Sequence, residues 1–191
     1  VAGQAYTHRS SVVLETEKLK NSIIEKFGTP CSVIDLDVVE NNIKRAQSLC
    51  EKMGLANRPH VKTHKSPILA KMQIAHGAQG VTCQKLGEAE VMVDAGIFDI
   101  IIATNILGAA KSGRLAALQK RAALKVCTDN PVSLKAYSEA ALKAERLMDV
   151  MIECDTGQKR AGVETPSMAV DLAHMIKDDP LLNFAGLLFY P

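Results

Sequence analysis

A parallel sheet covered by helices, most simply a (β/α)-barrel, is the fold class this sequence predicts, and three observations predict it. Short, almost wholly apolar runs alternate with longer amphipathic ones through residues 31–190. Strands that apolar are buried on both faces, which is the condition of parallel strands joined by crossover helices. Third, the Gly-rich turn that a doubly wound nucleotide fold places after its first strand is missing: the first two strand–helix junctions, DLDVVEN and KTHKSP, contain no glycine. That favours the barrel over the open sheet.

The elements follow in order. Residues 31–37, CSVIDLD, read as a strand, and VVENNIKRAQSLCEKM as a helix with Asp37 as its N-cap and Gly54 as its end. RPHVKTH (58–64) is a short extended run. The next helix opens at Ser66-Pro67, where proline suits the first turn, and breaks at Gly77 and Gly80. GVTCQ (80–84) reads as a strand and GEAEVMVDAG as a helix closed by Gly96. DIIIATN (99–105), LKVCTDN (124–130) and DVMIECD (149–155) are strands, leading into the helices AKSGRLAALQKRA, PVSLKAYSEAALKAERL and PSMAVDLAHMIKDD. NFAGLLFY (183–190) is the last strand, the sixth after 31–37, and no helix follows it. A closed barrel takes eight units and roughly 250 residues, so the expectation is an incomplete barrel with about six of its eight strand–helix units.

Composition narrows the function classes. The chain has 191 residues, 47% hydrophobic and 23% charged, which is enough for one sizeable core but not for two large domains or a disordered tail. No apolar stretch approaches the ~20 residues of a membrane span. Net charge is +2, from 23 basic and 21 acidic residues, with 4 Phe, 3 Tyr and no Trp, so no nucleic acid partner is expected. Five widely spaced cysteines (Cys31, Cys50, Cys83, Cys127, Cys154) without a C-x-x-C make neither a disulfide framework nor a zinc ribbon, and suggest a reducing compartment. The opening VAGQAYTHRSSVVLETEKLK has no apolar core flanked by positive charge, so a cytoplasmic protein is expected.

In parallel α/β proteins chemistry gathers at the carboxyl ends of the strands. On a strand, His60, Lys62 and His64 of RPHVKTHK would share one face, with Lys62 aimed into the barrel mouth and Lys65 on the other face or in the loop. Partial desolvation makes a lysine a better nucleophile toward an aldehyde. A polar surface turn is the competing reading, and a metal pair of His60 and His64 a weaker one, because zinc-binding H-x-x-x-H pairs sit on helices. In ECDTGQKRAG (153–162), Asp155, Thr156 and Gly157 form a tight turn from which Arg160 can fold back toward an anionic oxygen; a plain turn with a solvated arginine is the alternative. Gln84, Asn105, Asp129 and Tyr190 stand at other strand ends, where each is either a helix cap or a ligand to something in the mouth. Asp129, before Asn130-Pro131, reads as a cap.

TPCSVIDLDVVENNI, RPHVKTHK, GVTCQKLGEAE, ECDTGQKRAGV and FAGLLFY, in that order, resemble the amino-terminal portion of the D-threonine aldolase / D-serine dehydratase enzymes, which use pyridoxal phosphate and have the alanine racemase fold. The resemblance runs from Thr29 to the chain end. It implies a partial cofactor-binding barrel over residues 29–191, with 1–28 as an amino-terminal segment that adds no motif. It implies that Lys62 carries pyridoxal phosphate as a Schiff base with His60 beside it, and that Gln84, Arg160 and Tyr190 line the cofactor. The implied activity is a lyase acting on β-hydroxy D-amino acids, D-threonine aldolase-like, giving glycine and an aldehyde. D-serine dehydratase, an amino-acid racemase of the same fold and a non-catalytic pyridoxal-phosphate carrier are the alternatives. The resemblance places the divalent metal and its ligands, the phosphate-gripping strands and a small β-domain beyond residue 191. The portion alone is therefore expected to be inactive, to contain no metal site, and to pair as a homodimer when full length.

Overall fold

The computed structural model describes the backbone of residues 2–190 and the side chains of residues 13–190. It divides into two units, Val1–Val39 and Glu40–Pro191.

In the first unit, α1 (Ala2–Phe27) is a helix of 26 residues that the sequence reading did not anticipate. No proline or glycine interrupts residues 4–27, and Gly28, at φ 75, ends the helix. Its apolar residues make no continuous stripe, which is the signal that periodicity looks for. The strand expected at 31–37 does not form: residues 31–35 are irregular and exposed, because an apolar run becomes a strand only against a hydrogen-bonded neighbour. α2 (Leu36–Lys52) starts earlier than expected. Its cap is Asp35, whose Oδ1 accepts from the Val38 N–H at 3.1 Å, rather than Asp37, which lies inside the first turn.

The second unit alternates as the sequence predicts: α3 (Pro67–Ala75), β1 (Val81–Cys83), α4 (Leu86–Asp94), β2 (Asp99–Ile102), α5 (Ala109–Gln119), β3 (Ala123–Thr128), α6 (Pro131–Ala144), β4 (Met148–Cys154), α7 (Pro166–Asp178) and β5 (Leu182–Phe189). Local chemistry sets the starts. Ser66, Asn130 and Thr165 each cap a helix with a side-chain oxygen, and each is followed by a proline in the first turn.

The five strands are all parallel and lie in chain order, β1-β2-β3-β4-β5. A doubly wound sheet reverses its order at a switch point; here nothing reverses. With every crossover of the usual right hand, the connecting helices α4 to α7 fall on one face of the sheet, which makes it the wall of a barrel. Against the helices the strands bury Ile100, Ile102, Leu124, Val126, Val150 and Ile152, at most 2% exposed. The other face of the sheet is more polar.

Tyr137 on α6 is fully buried, and its hydroxyl stitches three elements together. It donates to the Cys127 carbonyl of β3 at 2.7 Å and accepts from the Ile106 N–H beyond β2 at 3.1 Å. Tyr137→Phe leaves both backbone groups buried without a partner, at a cost of about 2–3 kcal/mol. Thermal unfolding followed by circular dichroism should show Tm lowered by roughly 4–12 °C; a Tm within a degree of the parent would contradict this account.

Candidate active site

The ladder places the polar side chains. His60, Thr82, Ile101, Lys125, Asp149 and Asn183 lie in one row across the sheet, and residues two further along each strand keep to that face. The row climbs to Gln84, Asn105, Asp129 and Glu153 at the carboxyl ends. It is the face opposite the helix-covered core, and so the face that lines the barrel.

RPHVKTH joins this sheet through one residue. Thr82 donates its N–H to the Pro59 carbonyl at 2.8 Å and accepts from the Val61 N–H at 2.9 Å, so that His60 is an isolated parallel bridge. Beyond His60 the chain turns. Lys65 N–H closes back on the Val61 carbonyl at 2.8 Å, and residues 61–64 are a turn, not a strand. The shared strand face expected of His60, Lys62 and His64 therefore does not exist, and Lys62 is exposed rather than desolvated. Its position comes instead from a hydrogen-bonded chain. The Lys62 N–H donates to His60 Nδ1 at 3.3 Å, His60 Nε2 meets Gln84 Oε1 at 3.2 Å, and Gln84 Nε2 donates to the Ala103 carbonyl at 3.3 Å. Because Nδ1 accepts, His60 is the neutral tautomer carrying its proton on Nε2. Burial holds its pKa below the ordinary 6.5, and the Lys62 charge pushes the same way against the Gln84 hydrogen bond. Lys65, at φ 50, turns away to Glu88 at 3.7 Å.

Arg160 and Tyr190 approach from the other end of the sheet. The loop 155–162 is folded on itself: Asp155 Oδ1 accepts from the Gly157 and Lys159 N–H groups at 2.9 and 3.1 Å, and residues 154 and 163 pair at its base. Arg160 stacks over the Tyr190 ring, 4.9 Å from its centroid, and Lys62 Nζ lies 5.9 Å from the same centroid. Tyr190 reaches this face through a bulge. The β4–β5 register slips between Val150/Phe184 and Met151/Gly186, so the even-numbered residues of β5 from Gly186 onward take the face that Asn183 has before the bulge. Without that slip Tyr190 would point to the helix side. Gly186 makes the slip at φ +123.

The structure thus brings Lys62, Arg160 and Tyr190 together, and joins His60 to Gln84. Two further groups escaped the sequence reading. Glu88 accepts from the Gln84 N–H at 2.8 Å, and a glutamate in the third helical position after a strand end is the signal that could have found it. Glu153 is 8% exposed, and burial raises its pKa, with Asp129 adding to the rise and Arg160 opposing it. Its place could be read only from the ladder. Asp129 is not the cap of α6, which is Asn130. Among the described residues no group of three or more His, Cys, Asp and Glu could hold a metal ion, and no helix is long and apolar enough to cross a membrane. All five cysteines are free, and burial pushes the Cys83 thiol up to about 12.

Comparison with known proteins gives the same fold. Residues 34–191 match the family described as alanine racemase, N-terminal domain. The D-threonine aldolase of Arthrobacter sp is 40% identical over 167 residues, which is 87% of this chain and 44% of that protein. The crystal structure of D-threonine aldolase from Filomicrobium marinum superposes with a TM-score of 0.81 at 41% identity, over 83% of this chain and 43% of that one. D-threo-3-hydroxyaspartate dehydratase from Delftia sp. HT23 superposes at 0.77 and 32% identity, over 84% and 43%. The chain thus spans less than half the length of these aldolases and dehydratases.

Two outcomes test this geometry. Alanine at Gly186 would meet no atom within 4 Å, so its cost is conformational strain at φ +123, about 1–3 kcal/mol. Gly113, inside α5, also faces open space, and Gly113→Ala should stabilise by up to about 1 kcal/mol. Chemical denaturation of both variants should therefore give shifts of opposite sign. The second outcome concerns pH. A histidine whose folded pKa is depressed contributes stability that is present above its unfolded value and lost as pH falls through the folded value. Unfolding free energy should drop between pH 7 and pH 5, and drop less in His60→Gln. Equal slopes in urea titrations of the two proteins would remove the neutral, half-buried His60 from the account.

Proposed function

The chain belongs to the alanine racemase N-terminal domain family, and from that premise we propose that it is the cofactor-bearing portion of a pyridoxal-phosphate-dependent lyase acting on β-hydroxy D-amino acids, in the manner of a D-threonine aldolase. One observation carries the reading. A primary amine (Lys62), a guanidinium (Arg160) and a phenol ring (Tyr190), from segments distant in the sequence, converge with both cations within 6 Å of the ring centroid. That donor set suits a flat, anionic ring bearing an aldehyde: an amine to hold the aldehyde, a guanidinium for a phenolate or carboxylate, and an aromatic face beside them. The aldolase is preferred to the dehydratase on identity, 41% against 32% in the two solved structures.

Pyridoxal phosphate, when bound, supplies an electron sink conjugated to the amino acid's Cα. The rest is done by side chains of this chain. Lys62 Nζ, 5.9 Å from the Tyr190 ring centroid, would hold the aldehyde carbon of the cofactor, and its amine would accept or return a proton there. Arg160, steadied on Tyr190, binds the anionic oxygen that orients the ring. His60, neutral and bonded on both nitrogens, fixes the backbone of Lys62. Gln84 ties that arrangement to the residue that follows β2 through the Ala103 carbonyl. The full-length protein is read as a homodimer, and as cytoplasmic, the latter fitting five free cysteines.

Borohydride reduction after incubation with pyridoxal phosphate, followed by digestion and mass spectrometry, tests the reading. A single pyridoxyl adduct on Lys62, abolished in Lys62→Ala and retained in Lys65→Ala, is expected from the protein expressed from its complete gene. Label spread over many lysines, or carried by Lys65, would overturn it.

A further inference from the structure

The geometry points to Asp129 as a positioning residue that holds the Arg160-bearing loop against the sheet. Its Oδ2 accepts from the Gly162 N–H at 3.0 Å, two residues after Arg160. Its Oδ1 accepts from Asn105 Nδ2 at 2.8 Å and from Asn130 Nδ2 at 2.7 Å. One carboxylate therefore joins the segment after β2, the end of β3 and the loop after β4. Gly162 is required for that approach. It sits at φ +101, and a Cβ there would fall 2.5 Å from the Asp155 nitrogen and from the Cys154 carbonyl carbon, so no side chain can stand between this backbone and the strand.

The loop needs such an anchor. Its inner hydrogen bonds, from Gly157 and Lys159 to Asp155, shape its tip without attaching it to β3. On the β5 side Thr156 Oγ1 donates to the Tyr190 carbonyl at 2.9 Å. On the β3 side the attachment is Asp129. Arg160 hangs between these two points, over Tyr190. The donors around Asp129 outweigh its burial and hold its carboxyl below the usual range, so the anchor is an anion and its hydrogen bonds are charge-assisted.

This inference rests on the proposed role of Arg160 toward the cofactor, and its test separates the two. Asp129→Asn and Asp129→Ala are made in the protein expressed from its complete gene; should the alanine variant fail to fold, the asparagine variant carries the test. Without cofactor, hydrogen–deuterium exchange should rise about tenfold at amides 156–162, with α6 and β4 keeping parent rates. Absorbance titration with pyridoxal phosphate should show affinity weakened about tenfold, as in Arg160→Ala, with Lys62 still the reduced lysine. Unchanged loop exchange overturns the inference, as does faster exchange confined to α6. Faster loop exchange with unchanged affinity overturns the link to the cofactor, provided Arg160→Ala weakens binding. If Arg160→Ala has no effect on affinity, the assignment of Arg160 falls instead, and faster loop exchange still supports the anchor.

Discussion

Thr82 holds the site to the sheet with two backbone hydrogen bonds, one to Pro59 and one from Val61. They make His60 the only residue of its segment to enter the ladder, and so give its side chain the pleat of β1. From there each position follows. Gln84 lies two residues beyond Thr82 on the same face and meets the imidazole, and the other ring nitrogen receives the Lys62 N–H. An exposed lysine on a turn would otherwise sample many positions. Here its backbone is tied to a parallel sheet through a ring that has one orientation and one tautomer.

The forces among the exposed side chains are too weak to assemble the site. A cation over an aromatic ring contributes about 0.5–1 kcal/mol where solvent reaches it, comparable to the rotamer entropy that a lysine or arginine gives up. Backbone geometry does the assembling. The bulge at Gly186 brings Tyr190 to the barrel-lining face, and the tight path through Gly162 lets the Arg160 loop return to the sheet. Both glycines sit where an L side chain would be strained or would collide. The candidate site then stands on turns and loops while parallel strands with a buried apolar face supply the rigidity, the usual division between scaffold and site.

Burial divides the acids of this face. Asp129 has donors enough to stay ionised, whereas Glu153 lies deeper, beside that charge, and is pushed toward its neutral form. The pKa values of two neighbouring carboxyls are thus moved in opposite directions because one is surrounded by N–H groups and the other is not.

By itself the sequence determined the alternation and most element boundaries in the second unit. Apolar strand runs, Ser66, Asn130 and Thr165 with their following prolines, and glycines after helices are local signals, readable wherever the energetics are local. The absent Gly-rich turn also sufficed to choose the barrel over the doubly wound sheet. Elsewhere local signals failed. The apolar run at 31–35 has no ladder, α1 has no apolar stripe, and the alternation in RPHVKTH promised a strand where one bridge residue is followed by a turn. The preference for Lys62 over Lys65 began from that strand face, yet what sets the two apart is the His60 hydrogen bond to one and the Glu88 ion pair of the other. Only the tertiary structure could decide the register slip that turns Tyr190, the junction at Asp129 and the depth of Glu153. Each depends on which residue of a distant strand lies alongside, and a pleat of period two reverses its answer with every residue of register.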